Sequence, residues 1–229
     1  MSENYSHFVR NFSSLCSEKY INVTIIKTIV LKMKTIIKPA AWKILELFYR
    51  NRNQPLHLRE ISRKAGISES PVSRQLNIME KGKILRSKPE ANLKKFNVNK
   101  SQIPEIFPLF DNERIKNLPL LRKNSLKIYI DSLETKPIFI VLFGSTAKGG
   151  LRHDSDIDIL EVFNAKTNTS SSAKYAESQT AIRIQAVQMT FKAFIEELKL
   201  KKEPVVQSAV ETGFPVFNQK YYYEAVWNE

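Results

Sequence analysis

The sequence predicts an α+β chain in two parts, a small basic helical module closed by a hairpin and an α/β domain that follows it. Three observations predict this. Positive charge is concentrated in residues 39–100. The same segment shows three short amphipathic helical patterns and then two strand-like runs. Residues 137–163 run from a continuous apolar stretch through a Gly-Ser turn into a second apolar stretch that carries two aspartates. A length of 229 residues fits one large or two small domains, and 42% hydrophobic with 26% charged residues is ordinary globular composition.

Lys and Arg total 36 against 23 Asp and Glu, a formal net charge of +13. Such a balance points to a polyanionic partner: DNA, RNA, nucleotide or membrane surface. Residues 39–100 hold fourteen basic and five acidic groups, net +9, whereas residues 137–229 hold ten and eleven, net −1. This asymmetry predicts a nucleic-acid module joined to a domain with different work. A single cysteine, Cys16, excludes an internal disulfide framework and a multi-cysteine zinc site. His7, His57 and His153 are too scattered for a histidine metal cluster.

Residues 1–38 form an N-terminal extension. Its apolar run, Tyr20–Ile37, is interrupted by Lys27, Lys32 and Lys34, and a charge at a helix centre costs about 2.5–3.5 kcal/mol on insertion scales. A membrane span is therefore not expected. The run starts too late for a signal peptide and lacks a small-residue cleavage site. The expectation is a cytoplasmic chain without membrane contact. The extension reads as a basic amphipathic helix, with homodimer packing as one use.

In residues 39–100, Pro39 opens a first helix, with Trp42, Leu45 and Phe48 or Tyr49 on one face. Asn51–Pro55 ends it. Leu58, Ile61 and Ala65 line a second helix, which Gly66 closes. Ser68 is placed to cap a third helix, with Pro71 in its first turn. Val72, Leu76 and Met79 face its core, leaving Ser70, Ser73, Arg74 and Asn77 on the opposite face. After Gly82, two strands flank a turn at Glu90–Asn92, and Lys88, Lys94 and Lys95 sit on this hairpin. This is the pattern of a winged helix-turn-helix, whose third helix enters a DNA major groove while hairpin lysines meet phosphates. The segment resembles winged-helix regulators with an LREI-x-x-x-AGIS-x-x-x-V-x-R core. Duplex DNA is the partner this implies; a winged helix used for protein contacts or dimerisation is the alternative.

Residues 101–136 read as two connecting helices, Pro104–Asn117 and Leu120–Glu134, without visible chemistry. The domain of residues 137–229 opens on Ile138–Phe143, the apolar run of a strand buried on both faces. Gly144 and Ser145 follow at once, and Asp156-Ile157-Asp158 lies inside the next apolar run. Residues two apart on a strand point the same way, so both aspartates should project toward the Gly-Ser turn. Adjacent carboxylates repel unless a cation neutralises them, and Mg²⁺ or Mn²⁺ suits hard oxygen ligands combined with substrate phosphates. Gly144 lets backbone N–H groups approach a phosphate, and Ser145 offers a hydroxyl.

This signature resembles that of the DNA polymerase β-like nucleotidyltransferase superfamily, and of its minimal members in particular, over about residues 137–226. By that resemblance, Gly144 and Ser145 contact a nucleoside triphosphate, and Asp156 and Asp158 bind the metal and are the catalytic pair. Lys148 stands where many members have Arg, and Arg152 assists it; Asp154 is a loop residue. The superfamily's third carboxylate belongs on a later strand, here Ala181–Met189, which contains neither Asp nor Glu. Gln185 is its nearest polar residue, and an amide cannot act as a general base. Glu161 alternates to the far face of its strand. Glu177, in the Ser/Thr-rich stretch Lys166–Thr180 that reads as a mobile connection or weak helix, could swing in.

Three more helices, Phe191–Leu200, Pro204–Thr212 and Gln219–Trp227, close the domain, and Tyr221–Tyr223 either stack a base or pack. Two function classes follow. One is a nucleotidyltransferase moving a nucleoside monophosphate from NTP to a hydroxyl acceptor. The other is a transcriptional regulator or antitoxin-like DNA-binding protein whose nucleotidyltransferase fold binds nucleotide or a protein partner without turnover.

Overall fold

A computed structural model describes residues 38–149 and 155–227. The expectations for residues 1–37, for Arg152 and for Asp154 lie outside the described residues. From Ala40 onward the described chain is one compact unit.

Helix α1 (Pro39–Arg50) buries Trp42, Leu45, Phe48 and Tyr49. A short strand β1 (Leu56–His57) leads directly into α2 (Leu58–Ala65), where the His57 side chain accepts a hydrogen bond from the Glu60 N–H. Gly66 ends α2 at φ 63°, the left-handed conformation its position predicts. Helix α3 (Glu69–Lys81) buries Val72, Leu76 and Met79, with Ser68 at its N-cap position but making no side-chain cap bond. Strands β2 (Leu85–Glu90) and β3 (Leu93–Val98) form the hairpin, and β1 adds antiparallel to the far side of β3. That strand pairing was not legible in the sequence, because two residues give no alternation to read. Asn53 fastens the loop before it: its side-chain amide donates to the Val98 carbonyl at 2.9 Å and accepts from the Val98 N–H at 2.7 Å.

Helices α4 (Ile103–Asn117) and α5 (Leu120–Ser132) follow a 3₁₀ turn at Lys100–Gln102. Helix α4 is the seam between the basic module and the rest. Its Phe110 packs on Trp42 and Tyr49, and its Phe107 meets Tyr49 and Tyr223 edge-on. Asp111 is wholly buried in this seam and accepts the hydroxyls of Tyr49 at 2.6 Å and Tyr223 at 3.0 Å on one carboxylate oxygen. Among the described residues its second oxygen has no partner, and burial pushes its carboxyl up to about 7.

The second sheet has the order β6-β5-β4-β7. Strand β4 (Phe139–Phe143) pairs antiparallel with β5 (Ile157–Phe163), and β5 pairs parallel with β6 (Ile184–Thr190). Strand β7 (Phe214–Phe217), which the sequence analysis does not anticipate, pairs antiparallel with β4. Between β4 and β5 lies a one-turn helix α6 (Gly144–Lys148). The stretch left open between connection and helix contains α7 (Ser170–Thr180). One sheet face, with Ile140, Leu142, Ile157, Ile159 and Ile184, packs on Leu126, Tyr129 and Leu133 of α5 and Ala176 of α7. The other is covered by α8 (Phe191–Leu200), α9 (Pro204–Thr212) and α10 (Gln219–Trp227); Phe194 and Tyr222 meet Phe139 edge-on. Tyr222 and Tyr223 are therefore packing residues, each 1% exposed. Among the described residues, no helix is long and apolar enough to cross a membrane.

Candidate functional site

The two aspartates stand at the N-terminal end of β5, beside the turn where β4 becomes α6. Phe143 and Asp158 are register partners, so the Gly144 backbone lies against the Asp158 side chain. Gly144 has φ 68°, and a Cβ placed there would lie 2.1 Å from Asp158 Oδ2. A side chain is thus excluded twice, by backbone conformation and by the carboxylate. Ser145 is half-buried at the start of α6, and Lys148 is exposed at its end.

Asp156 and Asp158 are half-buried. Burial first, and then the charge of Asp156, hold the Asp158 carboxyl above the usual range, with the Arg122 guanidinium opposing them. Among the described residues, neither carboxylate accepts a hydrogen bond. Two crowded carboxylates without donors, facing a turn kept bare of side chain, form a donor set that suits a hard divalent cation completed by phosphate oxygens. No group of three or more Asp, Glu, His or Cys that could hold a metal occurs among the described residues.

Strand β6 decides what stands beside the pair. Asp158 and Gln185 are register partners in a parallel ladder, so both side chains lie on one face, and Gln185 is exposed there. Ile184 and Ala186 point to the opposite, apolar face. The strand begins at Ile184 rather than Ala181; Ala181 sits at φ 55° where α7 ends. Glu161 lies on the far face, fully buried, and accepts from Tyr129, from Thr169 at 3.2 Å and from Gln188 at 3.5 Å. Glu177 is exposed on α7, whose Ala176 packs on the sheet face away from the aspartates.

Arg122 of α5 was missed by sequence reasoning. It is 5% exposed, and one nitrogen donates to Thr146 Oγ1 at 2.7 Å, while the other donates to the Ser155 carbonyl at 2.7 Å and its hydroxyl at 2.9 Å. Its only sequence signal is a charge at a position of α5 that turns inward. Arg114 of α4 was missed as well: it donates to the Ala147 carbonyl at 2.7 Å and to the Tyr49 hydroxyl at 3.2 Å, with its guanidinium 3.8 Å from the Phe214 ring centre.

On the basic module, Ser70, Arg74 and Asn77 are exposed along one side of α3, and Ser73 is half-buried. Ser73, Asn77, Leu93 and Lys94 line a groove of about 440 Å³ between α3 and the hairpin. The three hairpin lysines do not share a face. Lys88 is the register partner of Lys95, whereas Lys94 lies opposite Pro89, turned toward α3. Lys94 pairs with Glu80 and Lys95 with Glu90, each at 2.7 Å.

Residues 124–221 match the family model described as "Polymerase beta, Nucleotidyltransferase". The match runs from α5 into α10 and includes Gly144, Ser145, Asp156, Asp158 and Gln185. It supports a nucleotidyltransferase domain in this part of the chain, with a nucleoside triphosphate as the implied substrate. No curated protein and no solved structure matches the chain.

Proposed function

We propose that the chain binds a nucleoside triphosphate with Mg²⁺ or Mn²⁺ at the junction of α6 and β5. There it transfers the nucleoside monophosphate to a hydroxyl acceptor, and pyrophosphate leaves. The observation that carries this reading is the fit of Gly144 against Asp158, which keeps the turn bare and the carboxylate available. Asp156 and Asp158 would hold the cation, which when bound neutralises the pair and withdraws charge from the phosphates. Gly144 and Ser145 face the triphosphate, and Lys148 and Arg152 supply positive charge; Lys148 does so without a bidentate fork. The basic module is a winged helix in this reading. Its support is the order of three helices and three antiparallel strands, together with the exposed polar side of α3. It would hold the protein on duplex DNA through Ser70, Ser73, Arg74 and Asn77, with Lys88, Lys94 and Lys95 near phosphates.

A second reading has its own observation. Gln185 occupies the register position beside Asp158, and an amide accepts no proton from an attacking hydroxyl. This favours a DNA-binding regulator or antitoxin-like protein that binds nucleotide without turnover, or that acts through a protein partner.

Calorimetry of the full chain with Mn²⁺ and each NTP tests the site. Wild type should bind, and the double variant Asp156→Asn/Asp158→Asn should lose at least a hundredfold in affinity while keeping its melting temperature; unchanged affinity rejects the assignment. NTP labelled on the α-phosphate, incubated with cell extract, then separates the readings, since only the first yields labelled acceptor. For DNA, binding should weaken by roughly 0.9 log units per log unit of salt for each phosphate neutralised.

A further inference from the structure

We propose that Arg122 is a positioning residue of the nucleotide site, clamping Thr146 of α6 to Ser155 at the entry to β5 so that Asp156 is presented to the triphosphate. The inference rests on the site assignment above and adds a residue that lies just before the span matched by the family model.

The geometry is that of a clamp with two jaws. Thr146 lies inside α6, and Ser155 lies one residue before Asp156. A single buried guanidinium holds both: one nitrogen takes the Thr146 hydroxyl, and the other takes the Ser155 carbonyl and hydroxyl. The Asp156 carbonyl lies at 3.5 Å from the first nitrogen and from the Thr146 hydroxyl, so the backbone that bears this carboxylate is fixed from below. Thr146 itself is 2% exposed. A planar fork of fixed donors spans two anchors in a way a flexible ammonium does not.

The clamp also carries charge. Arg122 is one of the influences on Asp158 and acts against burial and against Asp156. An arginine serving only to fill the core would need neither hydroxyl, and an arginine contacting phosphate would have to be exposed. At 5% exposure, with its nitrogens on Thr146 and Ser155, Arg122 acts through these residues and Asp156.

The test uses the full chain and whichever Mn²⁺–NTP, of ATP, GTP, CTP and UTP, wild type binds best. Affinity is read by calorimetry, the metal environment by the electron paramagnetic resonance of Mn²⁺, and folding by thermal melting. Arg122→Met should weaken Mn²⁺–NTP binding at least tenfold and broaden the Mn²⁺ signal. Arg122→Lys, which keeps the charge but spans only one jaw, should recover part of the loss. Thr146→Val and Ser155→Ala leave Arg122 in place and each remove one jaw, so they carry the test if Arg122→Met does not fold; each should weaken binding about threefold or more. In the Asp156→Asn/Asp158→Asn background the same changes should have no further effect. If the folded variants bind within twofold of wild type, or if their losses vanish once they are cooled well below their melting points, Arg122 is only a structural residue and the proposal is overturned. If wild type itself binds no Mn²⁺–NTP, the site assignment fails first and the proposal falls with it.

Discussion

Strand β5 carries two carboxylates three residues apart, Asp158 and Glu161, and the sheet treats them in opposite ways. Glu161 is completely buried against α5 and α7, where Tyr129, Thr169 and Gln188 all donate to it. Gln188 is held for that purpose, because its own carbonyl oxygen accepts the Thr167 N–H at 2.9 Å. Asp158 looks onto a glycine that leaves its oxygen uncovered, and among the described residues it has no donor. Both carboxyls are raised by burial first, but hydrogen bonds oppose the rise at Glu161, whereas at Asp158 a second carboxylate adds to it. A carboxylate satisfied from within belongs to the architecture; one left short of donors beside another acid is prepared for a ligand.

The largest test of this difference is truncation. Glu161→Ala leaves a cavity, strands the buried Tyr129 hydroxyl and takes the acceptor from the half-buried Thr169 and Gln188, and should cost about 3–5 kcal/mol of stability in chemical denaturation. Asp158→Ala removes a repulsive partner of Asp156 and should change stability by under about 1 kcal/mol while abolishing NTP binding. Equal destabilisation by the two substitutions would break the comparison. Gly144→Ala sharpens it from the other strand. The positive φ costs about 1 kcal/mol, and the new methyl group must displace the Asp158 carboxylate. A melting point lowered by a few degrees, with NTP affinity down more than tenfold, is the expected pair of results.

How much of this was legible in the sequence follows from which residues carry periodic signals. The Gly-Ser turn, the aspartate pair and the separation of Glu161 onto the other face all follow from local alternation, and the structure places them accordingly. The helices from α8 to α10 have the boundaries that their apolar spacing predicts. What escaped was set by partners distant in sequence. Strands β1 and β7 are two and four residues long and exist only because β3 and β4 offer edges to pair with. Arg122 and Arg114 look like ordinary surface cations until α4 and α5 are packed against α6. Gln185 is legible in the sequence as the polar residue nearest the expected third carboxylate, and the register of β6 on β5 sets it beside Asp158.

Protonation gives a smaller effect, spread over pH. Glu161 and Asp111 both have folded values raised by burial, Asp111 to about 7. A raised value means that the folded state holds the proton more tightly, so the stability it contributes is complete below the ordinary carboxylate range and is lost as pH rises through the folded value. For Asp111 the window runs from about pH 4 to about 7, with a slope of at most about 1.4 kcal/mol per pH unit. The difference in stability between wild type and Asp111→Asn should therefore shrink across that window, and Glu161→Gln should remove a similar slope that begins near the ordinary glutamate range. A flat difference for Asp111 would show that its unpartnered oxygen is solvated in the folded protein.

The smallest change tests whether the two faces of β5 differ in kind or only in the number of acids. Gln185→Asp places a third carboxylate in register with Asp158, on the open face. Gln185 is exposed, so the new charge is not driven into the core, and the fold should tolerate it within about 0.5 kcal/mol. Without metal the added repulsion should raise the Asp158 carboxyl further; with Mn²⁺ the same charge becomes an extra oxygen ligand. Metal affinity should therefore rise by about three- to tenfold at neutral pH, with a steeper pH dependence than wild type. If turnover is limited by the missing base, label transfer should appear or increase as well, because a carboxylate can accept the proton of an incoming hydroxyl. Tighter metal binding without any transfer would favour the reading in which this chain holds nucleotide and regulates. Unchanged metal binding in a stable variant would show that side chains at position 185 point past the aspartates, so that the open face of β5 ends at Asp156 and Asp158.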